Sequence, residues 1–489
     1  MCLSFNWNTR SRKRLDVYSL QCLHEWFARR VLELVVDLVV EKGSIVTSHG
    51  SFEGAIAIDQ GKIVAIGSST VMPQAKRPVD ASGLFVLPGI IDGHVHFREP
   101  GFEYKEDLLT GSTAAAFGGV TTIFDMPNVK PPTQDAPSFN LKLEKAKQKC
   151  LVDFGIYGVV LPTNVDKVGE LAKLGVIGFK IFMGETVGNL PSPDDWELVL
   201  AFEAIAKTGL RVGVHAENRA IIDHLVNQFK KTGRTDALAH LESRPVISEV
   251  EAITRAMALT KPFGTKLHVF HLSSAEGTAI VQQAKDAGLP VTAETCPHYL
   301  LLDGKTEMQK HGTILKINPP VRTREHGEAL WRGLKSGAVD MIATDHSPHT
   351  KEEKSHSNIW EEIAGWPGVE TLVPLMLNEV NKGTITLNEV AKFMSENPAR
   401  VWGVYPTKGH ISLGSDGDLT IVDLKTKREI RGDELHSKNK PPTPFEGWTV
   451  RGAAVYTIVG GRVVMEEGRL NENSGRGKLV TPASEEAKR

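Results

Sequence analysis

The chain changes its hydrophobic rhythm twice. Between Asp37 and Gly89 short apolar runs alternate with turn residues, as in "DLVVEKGSIVT", "GAIAIDQGKIVAIG" and "VDASGLFVLPG". Gly and Asp-Gln-Gly punctuation between such runs predicts a small antiparallel sheet. The same texture returns near the far end in "GHISLGSDGDLTIVDL" and "AAVYTIVGGRVVMEEG". Two β-rich pieces flanking a long middle predict one β-sandwich built from both ends of the chain.

The middle follows a different rule. Apolar strand-like runs ("PGIIDGHVHF", "GVTTIFDMP", "DFGIYGVVLP", "GVIGFKIFM", "RVGVHAE", "KLHVFHLSS", "PVTAETCPH", "VDMIATDHSPH") alternate with stretches such as "SEVEAITRAMALT" and "EGTAIVQQAKDAG". The latter carry apolar residues at helical spacing. Eight such units predict an α/β fold, a (β/α)₈ TIM barrel rather than an open doubly wound sheet. The expected organisation is an extension over 1–36, sandwich strands over 37–88, and the barrel over 89–405. The rest of the sandwich follows over 406–470, then a polar tail over 471–489.

Bulk properties narrow the function. The 489 residues are 41% hydrophobic and 24% charged with a net charge of −2, which gives no support for nucleic-acid binding or an acidic membrane surface. The four cysteines (Cys2, Cys22, Cys150, Cys296) are scattered without a CxxC pair. That argues against disulfides and cysteine-held zinc and for a reducing, cytoplasmic setting. No apolar run reaches the length of a membrane span. Residues 1–36 hold six Arg/Lys against three acidic residues. Those acids argue against a transit peptide, and no secretory cleavage pattern is present. A non-native extension or an early start is the favoured explanation. Nor does the chain hold a G-x-G-x-x-G after its first barrel strand or a phosphate-binding P-loop.

Chemistry concentrates at the predicted strand ends. In "GIIDGHVHFREPG", alternation along a strand would project His94, His96 and Arg98 to one side. Lys180 sits inside apolar "GFKIF", His215 ends "GVH", His271 follows "HVF", and Asp345 lies in "ATDHSPH". A lysine in so apolar a run is costly as a buried cation. Snorkelling to the surface is its plain structural alternative. Barrel chemistry gathers where strands end, and a His/Asp set suits Zn²⁺.

This set of H-x-H, Lys, His, His and Asp on successive strands resembles the amidohydrolase superfamily, specifically its cyclic-amidase branch. The resemblance spans about residues 37–470. It implies two Zn²⁺ ions per chain, bridged by an N6-carboxylysine at Lys180. His94 and His96 would hold one ion, His215 and His271 the other, with Asp345 beside the first as base and then acid. A small cyclic amide is the implied substrate, and a homo-oligomer is expected.

Substrate choice within the branch rests on other positions. Arg98 in "HFREPG", Asn128 in "MPN", Asn318 in "KINPPVR" and His349 in "DHSPHT" are similar to the substrate-binding set of dihydroorotases. The main expectation is therefore reversible hydrolysis of L-dihydroorotate in pyrimidine biosynthesis. A guanidinium suits that substrate's carboxylate. Allantoinase is the alternative, followed by hydantoinase or dihydropyrimidinase, and a silent amidohydrolase-like scaffold is the non-enzyme alternative. Against the main expectation, "GFKIFMGET" resembles the lysine-bearing branch shared with allantoinases and hydantoinases. Arg98 could instead pair with Glu99 or Asp107, the asparagines could start turns, and His298 in "ETCPHYLLL" decides nothing.

Overall fold

A computed structural model describes residues 35–184, 188–440 and 442–483. The extension expected over 1–36 falls almost entirely outside them.

Five strands open the described chain: β1 (Val35–Thr47), β2 (Gly50–Asp59), β3 (Lys62–Gly67), β4 (Gln74–Asp80) and β5 (Phe85–Pro88). Four more close it: β14 (Leu419–Glu429), β15 (Thr449–Val459), β16 (Arg462–Glu466) and β17 (Arg469–Leu470). They form one nine-stranded sheet in which β14 pairs antiparallel with β5, joining the two ends of the chain. The apolar alternation explains the packing. Leu38, Val40, Ile56, Ile58, Leu419 and Ile458 turn into one core, and Val36, Val39 and Ala57 into another.

Between these pieces lie eight parallel strands: β6 (Ile90–Val95), β7 (Val120–Asp125), β8 (Asp153–Val159), β9 (Gly178–Phe182), β10 (Arg211–His215), β11 (Lys266–Val269), β12 (Val291–Thr295) and β13 (Met341–Ile342). They neighbour one another in chain order. The ring closes through a parallel bridge between Val95 and His346, with the His96 N–H donating to the His346 carbonyl at 2.8 Å. This is the expected TIM barrel with a separate sheet. Helices cover its outside, several started by side-chain caps such as Asp107 on the helix Leu108–Phe117 and Asp135 on Ala136–Lys149.

Inside the barrel Trp402 packs beneath the site, parallel to Phe270 at 5.8 Å and edge-on to Tyr157 at 4.9 Å. Gly213 permits this, because a Cβ there would sit 1.9 Å from Phe270 Cε2. Barrel and sheet are tied by buried Lys408, whose Nζ lies 2.6 Å from Asp418 and also bonds Asp153. Residues 478–480, within the polar tail expected over 471–489, lie against β8. Phe154 N–H donates to the Lys478 carbonyl at 3.0 Å, and Val480 N–H to the Phe154 carbonyl at 2.8 Å.

Candidate active site

One cavity opens at the carboxyl ends of the barrel strands. It holds about 450 Å³ of open space, and its lining includes His94, His96, Arg98, Asn128, Lys180, His215, His271, Asn318 and Asp345. Nine of the ten residues singled out from the sequence thus come together. The tenth, His349, stands behind Arg98.

Strand pleat alone does not aim them. β6 stops at Val95, so His96 and Arg98 lie beyond the pleat that was to align them. Arg98, His271 and Asp345 all adopt left-handed backbone, with φ of +64°, +40° and +49°. Such conformations in non-glycine residues are costly and collect at functional sites. Asp92, missed by the sequence analysis, stitches this region together. Its buried carboxylate accepts from the backbone N–H groups of His94 (3.2 Å) and Thr344 (3.1 Å), and burial raises it to about 7.

The histidines are held from behind. His94 Nδ1 lies 2.6 Å from Glu294 Oε1, and His96 Nδ1 lies 2.8 Å from Asn128 Oδ1. An amide oxygen and an ionised carboxylate can only accept, so with Glu294 ionised both Nδ1 atoms carry the proton and both Nε2 atoms present lone pairs. Those lone pairs face Asp345 Oδ1 at 3.3 and 3.1 Å. Three electron-pair donors meeting in a buried space call for a cation among them, a proton or a metal ion. With a proton at His96 Nε2 as that cation, its hydrogen bond and charge hold Asp345 below the ordinary carboxylate range, against burial, which alone would raise it. Ser347 Oγ donates to the same oxygen at 3.3 Å.

A second pair lies alongside. His215 Nε2 donates to Glu217 Oε2 at 3.0 Å, which turns its Nδ1 toward His271 Nε2, also 3.0 Å away. Ligand atoms of His94, His271 and Asp345 all fall within 4.8 Å of one another. Burial pulls Lys180 down to about 7, against the opposing pull of Asp345 and Glu294. Its Nζ rests 3.8 Å from the centre of the Phe270 ring. It is held by the barrel interior and does not snorkel. The donor set therefore fits two metal ions, and a near-neutral amine fits reaction with CO₂.

Another acidic group, Asp153, Asp416 and Asp418, surrounds the Lys408 ammonium and is structural. Glu217 and Glu294 were also missed, though signals existed. Glu217 stands two residues after His215, the spacing that singled out His94 and His96. Glu294 is a charged residue inside an apolar strand.

Arg98 is buried with its Nε 3.3 Å from the Pro348 carbonyl. The ion pairs weighed for it do not form: Glu99 binds Lys145 and Lys149, and Asp107 binds Lys438. His349 accepts at Nδ1 from Lys105 Nζ (3.1 Å) and donates at Nε2 to the Ala364 carbonyl (3.0 Å). It therefore braces the cavity wall. Gly365 lies in that wall with φ +123°, and a Cβ there would come within 2.6 Å of Ser347 Cβ. Asn318 Oδ1 is buried without a hydrogen-bond partner. His298, behind Asp345, is depressed by burial to about 3 and stays neutral.

A barrel whose mouth gathers four histidines, an aspartate and a buried lysine defines a metal-dependent hydrolase class, and sequence comparison agrees. The profile of the "Amidohydrolase family" matches residues 85–464. An L-hydantoinase of Paenarthrobacter aurescens is 38% identical over 456 residues, 92% of this chain and 99% of that one. An allantoinase of Rubrobacter xylanophilus is 39% identical over 457 residues, covering 93% and 99%. Among solved structures, an L-hydantoinase (dihydropyrimidinase) from Arthrobacter aurescens superposes with a TM-score of 0.88 at 37% identity, covering 91% of this chain and all of that one.

The chain belongs to the amidohydrolase family, among its cyclic amidases, and is a hydrolase of small cyclic amides. The dihydroorotase expectation, with its place in pyrimidine biosynthesis, is overturned, because these relatives are named allantoinase and L-hydantoinase. The physical reason lies in the residues that suggested it. Asn128 holds the His96 ring and His349 braces a wall, so neither is a free reader of substrate. Among the described residues no helix is long and apolar enough to cross a membrane.

Proposed function

We propose that this enzyme opens hydantoin-type rings, with allantoin hydrolysed to allantoate. The convergence of Asp345, the histidine lone pairs and Lys180 on one cavity carries the amidase chemistry; the relatives' names support the ring class. His94, His96 and Asp345 would hold one Zn²⁺, and His215 and His271 the other, with carboxylated Lys180 shared between them. Ions bound there would supply Lewis acidity to water and to the ring carbonyl.

The chain's own residues do the rest. Arg98 donates to a carbonyl oxygen of the ring or its ureido group, and Asn318 Oδ1 accepts a ring N–H. Asp345, ionised at neutral pH, takes a proton from the attacking water as the C–O bond forms. It returns that proton to the ring nitrogen as the C–N bond breaks. Ser347 holds its carboxylate for both steps.

A second reading, hydrolysis of 5-substituted hydantoins, is favoured by one feature. A neighbouring hollow shares Asn318 and Ala364 with the cavity and is lined by Phe102, Tyr104 and Trp360, which suit an apolar substituent. Mass analysis of allantoin incubated with the zinc- and bicarbonate-loaded chain tests the proposal. Ring-opened allantoate is the expected product; intact allantoin beside an opened 5-benzylhydantoin favours the second reading.

A further inference from the structure

Resting on the metal-centre reading above, we propose that Glu294 and Glu217 are positioning residues that make the two metal positions unequal. The His94–His96–Asp345 position holds its ion more tightly than the His215–His271 position.

Both glutamates are buried, and each grips the outer nitrogen of one ligand histidine. Their surroundings differ. Glu294 Oε1 lies 2.6 Å from His94 Nδ1, and Oε2 lies 3.2 Å from His268 Nε2. Its only ion-pair partners among the described residues are these two histidines. No lysine or arginine among the described residues forms a direct ion pair with it, the Lys180 amine acting on it only from a distance. Glu217 Oε2, by contrast, is shared between His215 Nε2 and the Arg244 guanidinium. Arg322 closes the assembly by donating to the Arg244 carbonyl.

A carboxylate behind an imidazole raises the basicity of the nitrogen that faces the metal, and loss of such a partner weakens metal affinity about 10–100-fold. An arginine on the same carboxylate oxygen draws electron density away and removes much of that gain. The first position also has Asp345 Oδ1 within 3.1–3.3 Å of both its histidines. The second has no carboxylate on its inner nitrogens among the described residues. Lys180 is common to both and does not distinguish them. Asp345 thus adds a carboxylate ligand to the first position, whose Glu294 has no arginine on it, while Glu217 shares its oxygen with Arg244. The second position becomes the exchangeable one.

Titration of metal-free, bicarbonate-equilibrated full chain with Co²⁺, followed by its visible absorption and by calorimetry, tests this without any turnover. Wild type should fill in two phases separated by at least about 10-fold in Kd. Glu294→Gln keeps size and an acceptor oxygen, so it should weaken the tight phase about 10–100-fold and leave the weak phase in place. Glu217→Gln should shift only the weak phase. Two equal sites in wild type, or a Glu294→Gln effect spread evenly over both, overturns the inference. Absence of any Co²⁺ binding in wild type overturns the metal-centre reading itself. If Glu294→Gln does not fold, the wild-type titration and Glu217→Gln still decide.

Discussion

Arg98→Met has two effects of opposite sign, which makes it the most informative substitution. Arg98 is 1% exposed, and burial pulls its guanidinium from 12.5 to about 10. At ~1.36 kcal/mol per pKa unit that drop corresponds to about 3 kcal/mol. At pH 7 the group is charged in both folded and unfolded chains, so the whole penalty opposes folding. Methionine fills much of the same space without charge. The fold should therefore keep its Tm or gain stability, as when buried charges without ionic partners are replaced by apolar groups. Catalysis should move the other way. A hydrogen bond from a charged donor contributes about 1.5–3 kcal/mol, so its loss lowers kcat/KM by roughly 10–150-fold. Initial rates on allantoin, measured beside thermal unfolding of the same metal-loaded samples, give both numbers. A lower Tm with kcat/KM unchanged would refute the reasoning and make Arg98 a structural residue.

Other outcomes follow from the same geometry. Asp345→Asn keeps the shape and loses the base, so its rate should fall by about 10²–10⁴; half the wild-type rate would assign proton transfer elsewhere. Lys180, brought to about 7, is mostly neutral above that pH, and the neutral amine is the form that takes up CO₂. Reactivation of metal-free protein by zinc at a fixed concentration of dissolved CO₂ should accelerate as pH rises from 6 to 8, and a rate falling over that range would count against a carboxylated lysine. His94→Ala and His271→Ala should each lose bound metal together with activity, read by elemental analysis after zinc loading; full metal content in either would remove that residue from the ligand set.

Much of this site was legible before folding because barrel strands impose a simple rule. Apolar segments ending in His94, Lys180, His215 and Asp345 must deliver those groups to one mouth, whatever the helices do. The same rule reaches Glu217, two residues beyond His215, and the cost of a charge in a strand core reaches Glu294. Other features were not legible, because they depend on turns and on loops far apart in sequence. The left-handed backbone of Arg98, His271 and Asp345 sets directions that pleat periodicity does not encode. The placement of His349 behind Arg98, Nε2 3.3 Å from its Nη2, joins positions 251 residues apart. Substrate choice was misread for a related reason. Polar residues near the site were taken to read substrate, whereas Asn128 and His349 have structural partners.

The central claim is that a hydantoin-type ring is what this metal-dependent amidase opens. It is tested most directly by kcat/KM for allantoin, 5-benzylhydantoin, dihydrouracil and L-dihydroorotate, measured side by side on zinc- and bicarbonate-loaded full chain. Allantoin should rank first, with the other five-membered ring above both six-membered rings. A six-membered ring ranking first, or turnover of none of the four, would contradict the account.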